Sequence, residues 1–135
     1  MNTDFLNTPL PPDLADLSAA EAAALAAAAR AAGFAVFELD GARMKSKPEL
    51  MEYAGLALGF PGDFGRNWDA MVDYLGDMAN IHKNGKILVF VKNAAVMAGA
   101  DPKLHAVLRD ICGQACDNAR EWSGGTVLLK FAFIP

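Results

Sequence analysis

Residues 86–91, with the sequence KILVFV, form the segment that most constrains the fold of this chain. The segment is a nearly uninterrupted apolar run of strand length, without the alternation of apolar and polar residues that a half-exposed strand shows. Runs of this kind are typical of strands that are buried on both faces, as in parallel sheets covered by helices. The run therefore predicts an internal strand of an α/β fold.

Two other segments have strand character, residues 34–39 (FAVFEL) and residues 126–133 (TVLLKFAF). Helical patterns lie between the strands. They begin at Ser46 (ending near Leu58), at Asn67, and at Pro102 (ending near Trp122). Parallel neighbours need long crossover connections, so this order predicts a small parallel sheet joined by helices.

The first 33 residues have a different character from the rest of the chain. Three prolines, at positions 9, 11 and 12, predict an extended arm over residues 1–17. Ser18 and Glu21 have the spacing of a capping box, which begins an alanine-rich helix that Gly33 ends. We expect a single globular unit, made of an N-terminal arm and helix over 1–33 and a domain over 34–135. The start of the chain lacks the basic and apolar regions of a signal peptide.

Composition excludes some functions and favours a location. The chain has 135 residues, 53% of them hydrophobic, and a formal net charge of −4. A negative charge argues against direct binding of nucleic acid or of an anionic membrane, which both favour basic surfaces. Cys112 and Cys116 are poorly placed for a disulfide on a helix, so we expect them to pack in the core of a cytoplasmic protein.

The predicted helix that begins at Asn67 separates apolar and acidic residues onto opposite sides. Its apolar side contains Trp68, Met71, Val72, Leu75 and Met78, and its acidic side contains Asp69, Asp73 and Asp77. A carboxylate in the first turn, such as Asp69, complements the helix dipole. Asp73 and Asp77 lie further along, where like charges four residues apart repel and no Lys or Arg intervenes. Two interpretations stay open, an ordinary solvated face and a binding surface.

Catalysis and metal binding have weaker support. Three carboxylates on one helix could contact Mg²⁺, but they leave most of its coordination to water. His105 lies seven residues before Cys112, which on a helix is roughly 10 Å and too far for one ion. His82 falls in a predicted turn, where a solvated side chain is expected. No nucleotide-binding or nucleophile motif is present, so we expect no cofactor, no metal and no enzymatic activity.

The segment FPGDFGRNWDAMVDYL, residues 60–75, resembles the signature of the barstar family, the intracellular inhibitors of barnase-like ribonucleases. The matching positions are Phe60, Pro61, Phe64, Gly65, Asn67, Asp69, Ala70, Asp73 and Leu75. The order of strands and helices is also similar, over roughly residues 34–133. The resemblance implies a barstar-like three-stranded parallel sheet with helices packed mainly on one face. Residues 1–33 add an extra N-terminal helix to that pattern.

The resemblance also implies a function and a set of contact residues. Helix carboxylates of this family occupy the cationic active site of a ribonuclease, where they mimic its phosphate substrate. By position, Asp69 and Asp73 match the two helix aspartates and Asn67 matches the asparagine before them. The expected partner-binding residues are Asp63, Phe64, Asn67, Asp69, Asp73 and Asp77. The expected partner is a basic protein, a secreted or toxin-like ribonuclease, which gives the chain a role in toxin immunity.

Two departures from the family pattern bear on the partner. Asp63 stands where the family often has an aromatic contact, and Val72 stands where a tryptophan is common. A further acidic contact on the last long helix has two candidates, Asp117 and Glu121. The first alternative is therefore a binding module of the same fold with a different basic partner. The second is a metal-dependent enzyme that uses Asp69, Asp73 and Asp77.

Overall fold

The computed structural model describes residues 4–135, and its centre is a four-stranded sheet in which every neighbouring pair is parallel. The strands are β1 (Leu14–Asp16), β2 (Ala35–Asp40), β3 (Lys86–Lys92) and β4 (Leu128–Phe133). Their spatial order is β1-β4-β3-β2. In this register Val89 of β3 lies between Phe37 of β2 and Phe131 of β4. The apolar run therefore forms an internal strand, as predicted.

Seven helices connect or cover the strands within residues 4–135. They are α1 (Asp4–Asn7), α2 (Ala19–Ala31), α3 (Lys47–Ala57), α4 (Trp68–Gly76), α5 (Met78–His82), α6 (Ala94–Ala100) and α7 (Pro102–Trp122). The side chains of Ser46 and Asp101 cap α3 and α7. The predicted bounds of these two helices are confirmed, whereas α5 and α6 were not predicted. No helix in the described part of the chain is long and apolar enough to cross a membrane.

The sheet is covered on both faces. Ile87, Val89 and Val91 belong to the core on the side of α3, α4 and α7. Leu88 and Phe90, the alternate residues of the same strand, belong to a second core with α2. Successive side chains of a strand point to opposite faces, so a continuous apolar strand requires cover on each side. The fold is therefore a three-layer α/β arrangement.

Helix α2 supplies the cover on the second face. Its capping box is confirmed, with Ser18 N–H donating to Glu21 Oε1 at 3.0 Å and Glu21 N–H donating to Ser18 Oγ at 3.1 Å. The buried positions of the helix follow helical spacing: Ala22, Leu25, Ala26 and Ala29. The backbone after the helix turns at Gly33, where φ is +86°, a conformation that glycine adopts without strain. The alanine-rich sequence thus forms a thin apolar layer on the sheet.

The predicted architecture needs two corrections. The sheet has four strands rather than three, because Leu14–Asp16 pairs with β4. Most helices lie on one face, as expected, since α3 to α7 all contribute to the same core, and the additional N-terminal helix α2 covers the other face. The N-terminal arm is not extended throughout, because Asp4–Asn7 is helical, while residues 1–3 lie outside the described residues. The division of the chain at residue 33 stays a prediction.

The two cysteines lie in the core, as predicted. Cys112 and Cys116 are both buried free thiols on α7. The Cys116 thiol donates to the carbonyl of Leu129 on β4, with an Sγ–O distance of 3.3 Å. Burial raises the pKa of each thiol far above its usual value, so neither is a reactive thiolate.

A buried charge ties the N-terminal arm to the sheet. Lys130 lies on β4, and its side chain is only 1% exposed. Its Nζ donates to the carbonyls of Leu10 and Pro12 at 3.1 and 3.0 Å, and to Asp13 Oδ1 at 3.0 Å. Arg120 of α7 donates from one nitrogen to both Asp13 oxygens at 2.7 Å. Asp13 therefore forms ion pairs with two cations at the junction of the arm, β4 and α7.

We expect Asp13→Ala to lower the free energy of unfolding by about 3–5 kcal/mol, because it removes one partner of a buried ion pair and leaves Lys130 uncompensated. The control is Asp16→Ala, which removes a carboxylate three residues away that is 71% exposed and paired with Arg109 at 2.7 Å. An exposed pair contributes at most about 1 kcal/mol. Urea denaturation of both variants measures the difference, and equal losses would contradict the importance of the buried pair.

Candidate functional site

The loop before α4 and the first turn of that helix are joined by Asn67. Its Oδ1 accepts a hydrogen bond from the Ala70 N–H at 2.8 Å, which caps the helix. Its Nδ2 donates to the carbonyl of Gly65 at 3.4 Å. The side chain thus fixes the angle at which the loop enters the helix. Asn67 was expected to bind the partner, and the structure gives it this local role.

Helix α4 is held against α7 by close packing. Met71 and Leu75 are buried in the core. A Cβ on Gly76 would lie 3.0 Å from Trp122 and 3.2 Å from Asn118, so the glycine allows α4 and α7 to approach closely at this point. Trp68, on the predicted apolar side, is only partly buried and packs against the edge of the core. The apolar side of α4 therefore faces inward.

The opposite side of α4 presents two free carboxylates. Asp69 and Asp73 are exposed and lie four residues apart, which places them on the same face. Within residues 4–135 neither carboxylate takes part in a side-chain hydrogen bond or an ion pair. Four other acidic residues do form ion pairs with Lys or Arg: Asp13, Asp16, Glu38 and Asp117. Asp69 and Asp73 are thus available to cations from outside the chain.

Asp77 was expected on the same acidic face as Asp69 and Asp73, but it does not lie there. Helix α4 ends at Gly76, and Asp77 lies at the junction with α5, half-buried. Its N–H donates to the carbonyl of Tyr74 at 3.1 Å, in the tight bond of a final helical turn. Its Oδ1 accepts from Asn80 Nδ2 at 2.6 Å. The prediction that Asp77 is exposed on the helix was therefore wrong, because the helix ends one residue earlier.

An aromatic cluster fixes the loop against α4. The ring centroids of Phe60 and Tyr74 are 5.4 Å apart in a stacked arrangement, and Phe64 contacts both rings edge-on. A Cβ on Gly55 of α3 would come within 2.9 Å of the Phe64 ring. Phe64 is half-buried in this cluster, so its main contacts are within the chain.

Asp63, at the tip of this loop, is held by Tyr74. The Tyr74 hydroxyl donates to Asp63 Oδ1 at 2.7 Å. This hydrogen bond raises the pKa of Tyr74 above its usual value, and partial burial and the charges of Asp63, Asp73 and Asp77 act in the same direction. Three carboxylates therefore share the surroundings of one hydroxyl. Sequence reasoning missed Tyr74, whose only signal was its position beside Asp73.

Basic groups border the acidic face. Lys47 Nζ lies 5.7 Å from the centroid of the Trp68 ring. Arg66, in the loop, is exposed and has a φ of +53°. These two residues line an open cleft of about 280 Å³ with Met51 and Glu52. The surface is thus acidic on α4 and basic at one margin.

The two acidic candidates on α7 have different surroundings. Asp117 forms an ion pair with Arg120 at 2.9 Å, so it belongs to the network of the N-terminal arm. Glu121 is exposed and precedes Trp122, which contacts Gly76 of α4. Of the two, only Glu121 is without an ion pair in the described residues.

The histidines and acids form no metal-binding group in the described part of the chain. No set of three His, Cys, Asp or Glu side chains there is arranged to hold an ion. His82 was expected to be solvated, but its side chain packs within the protein. Its Nε2 lies 2.7 Å from the carbonyl oxygen of Leu58, and its ring packs on Phe37. His105, on α7, packs edge-on against Phe133 of β4, and burial lowers the pKa of the His105 imidazole.

Comparison with known families gives one result that covers most of the chain. The family model for barstar, described as barnase inhibitor, matches residues 34–130. This range includes α4, the loop before it and residues 60–75, the segment that resembles the family signature. The comparison with curated proteins gives no match. Because the family model spans well over half of the sequence, the chain belongs to the barstar (barnase inhibitor) family.

Proposed function

We propose that this protein inhibits a ribonuclease by placing α4 and the loop before it over the cationic active site of that enzyme. The observation that carries the proposal is the pair of exposed carboxylates, Asp69 and Asp73, that have no cation within residues 4–135. They lie in the segment matched by a family whose description is barnase inhibitor. Membership of a family that is described as barnase inhibitor supports a ribonuclease as the partner.

The chemistry of the two carboxylates suits such a site. Ribonucleases bind phosphate groups through cationic side chains. A carboxylate can accept two parallel, charge-assisted hydrogen bonds from one Arg side chain, and a phosphate group accepts them in the same geometry. Two carboxylates one helical turn apart provide two such acceptors on one rigid element. Their shared negative potential also speeds the encounter with a basic partner.

The scaffold supports tight binding because little of it has to be ordered on association. Asn67 caps the helix, and the close contact of Gly76 with Trp122 and Asn118 packs it against α7. Surfaces that are already in their bound conformation lose less entropy when they associate. The acidic helix therefore fits the role of a preformed substrate mimic.

The same surface and the composition of the chain support a wider role for this protein in the cell. The protein acts as a binding protein rather than an enzyme, uses no metal or cofactor, and does not itself bind nucleic acid or a membrane. It resides in the cytoplasm, where it protects against a toxin-like ribonuclease. The arm and helix of residues 4–33 support the domain of residues 34–135. The acidic character of α4 and the net charge of −4 are consistent with a basic protein partner.

A second candidate is a different basic partner bound by the same face. Asp63 and Val72 replace aromatic residues that are common in the family, and aromatic anchors dominate the energy of many interfaces. Arg66 and Lys47 add positive charge at the margin of the acidic face. A partner that complements both signs differs from a uniformly cationic active site. Inhibition assays separate the two candidates, since only the first predicts loss of ribonuclease activity.

We expect Asp73→Ala to weaken binding to a barnase-type ribonuclease by about 2–5 kcal/mol, the range for truncating one partner of a buried charge pair, measured in part on a complex of this same family. The loss corresponds to roughly 30-fold to several thousand-fold in Kd. Stability should change by no more than about 0.5 kcal/mol, because Asp73 is exposed. Isothermal calorimetry and urea denaturation measure the two effects.

The matched control for Asp73→Ala is Glu38→Ala. It also removes one negative charge from an exposed side chain, but Glu38 is on β2, where it pairs with Lys92 at 2.8 Å and lines the α2 side of the sheet. Its binding should stay within about twofold of wild type at moderate salt, because distant charges are screened. Equal losses for the two variants would mean that net charge, not the α4 face, determines binding.

Ionic strength provides an independent prediction. Raising salt from about 10 mM to 150 mM shortens the Debye length from about 30 Å to 8 Å. Association with the ribonuclease should slow by tenfold or more, whereas dissociation should change much less, because exposed charges steer the encounter. Stopped-flow fluorescence measures both rates. Association that is insensitive to salt would contradict a binding surface made of exposed carboxylates.

A further inference from the structure

Asp63 is the one exposed carboxylate of the site whose position is set by another element. It lies in the loop between α3 and α4, flanked by Gly62 and, two residues on, by Gly65. Glycines allow a loop many backbone conformations. The hydrogen bond from Tyr74 nevertheless ties Asp63 to α4 at 2.7 Å. The hydrogen bond thus joins the loop carboxylate to the helix that carries Asp69 and Asp73.

The ring of Tyr74 is itself immobilised. It stacks on Phe60 with a centroid distance of 5.4 Å and meets Phe64 edge-on at 5.7 Å. Phe64 in turn is closed against Gly55 of α3 and donates its N–H to the carbonyl of Pro61 at 3.0 Å. The hydroxyl therefore has a defined position, and Asp63 is oriented by it.

The chemical nature of this contact preserves the charge of Asp63. The carboxylates of Asp16, Glu38 and Asp117 are each held by Arg or Lys, which neutralises them within the chain. Asp63 is held by the hydroxyl of Tyr74, a phenol that is neutral at pH 7. A neutral donor fixes the carboxylate and leaves its negative charge for an external cation.

We infer that Tyr74 is a positioning residue that presents Asp63 as a third anionic contact, so that the partner has a guanidinium or ammonium group opposite the loop. This inference rests on the proposed binding role of the α4 face. It adds a specificity determinant, because Asp63 occupies a position where the family often has an aromatic residue. The loop contact here is ionic instead of aromatic, and it selects partners with a cation at that place.

The first test measures the hydrogen bond without a partner. The chain has two tyrosines, Tyr53 and Tyr74, and ionisation of tyrosine is followed by ultraviolet absorbance. Because the Asp63 hydrogen bond raises the pKa of Tyr74, Asp63→Asn should shift one tyrosine transition to lower pH. The variant Tyr74→Phe leaves Tyr53 alone and identifies which transition moved. No shift in Asp63→Asn would show that the contact is absent in solution and would overturn the inference.

The second test is a double-mutant cycle with a barnase-type ribonuclease as the probe. We expect Asp63→Asn to weaken binding by 10-fold or more, because it removes the charge and keeps the shape. Tyr74→Phe removes only the hydroxyl, and we expect a loss of 3- to 10-fold, mainly through faster dissociation. In the Asp63→Asn background, Tyr74→Phe should change affinity by less than twofold, since it acts through Asp63.

The other outcomes of the cycle are also decisive. An effect of Tyr74→Phe that persists in the Asp63→Asn background means that Tyr74 contributes only to the fold of the loop, which overturns the inference. If Asp73→Ala weakens binding but neither Asp63→Asn nor Tyr74→Phe does, the proposed function stands and this inference fails. If the wild-type protein does not bind the ribonuclease, both fail.

Discussion

Strand β3 buries its alternate side chains in two separate cores, with Ile87 and Val89 facing α3, α4 and α7, and Phe90 facing α2. A parallel sheet that is apolar on both faces is stable in water only when each face is covered. The family model begins at residue 34 and therefore includes the helices of one layer only. The cover of the second face comes from residues before that point, which makes the N-terminal helix part of the fold of this chain.

The second layer also has to accommodate a cation. Lys130 lies in β4 between Leu129 and Phe131, which face the opposite core, and its side chain enters the α2 side of the sheet. An ammonium group at 1% exposure is tolerated only with close anionic and carbonyl partners. Asp13 and the carbonyls of Leu10 and Pro12 supply them, and Arg120 shares the same carboxylate. The same contacts that satisfy the charge fix the arm beside β1, which allows Leu14–Asp16 to pair with β4.

Features with a local physical cause could be predicted from the sequence. The caps at Ser18, Ser46 and Asn67 depend on residues three positions away, and the bounds of α7 follow from its own apolar spacing. Features decided by distant contacts could not. A three-residue strand such as β1 has no periodicity of its own, and it exists because an edge of β4 was available. Three such features are the end of α4 before Asp77, the contact of His82 with Leu58, and the hydrogen bond between Asp63 and Tyr74. No sequence motif connects the residues that take part in each of them.

The acidic face persists because α4 does not depend on it for stability. The helix is held by the Asn67 cap and by burial of Met71 and Leu75, so mild repulsion between Asp69 and Asp73 has little effect on the fold. The acids that support the fold have partners within the chain: Asp13 and Asp117 pair with Arg120, and Asp101 caps α7. Lys47 and Arg66, which lie near the start of α4, form no ion pair with Asp69 or Asp73 within residues 4–135. In the described residues these two carboxylates thus have neither an ion pair nor a capping hydrogen bond, and both stay exposed on the surface of α4.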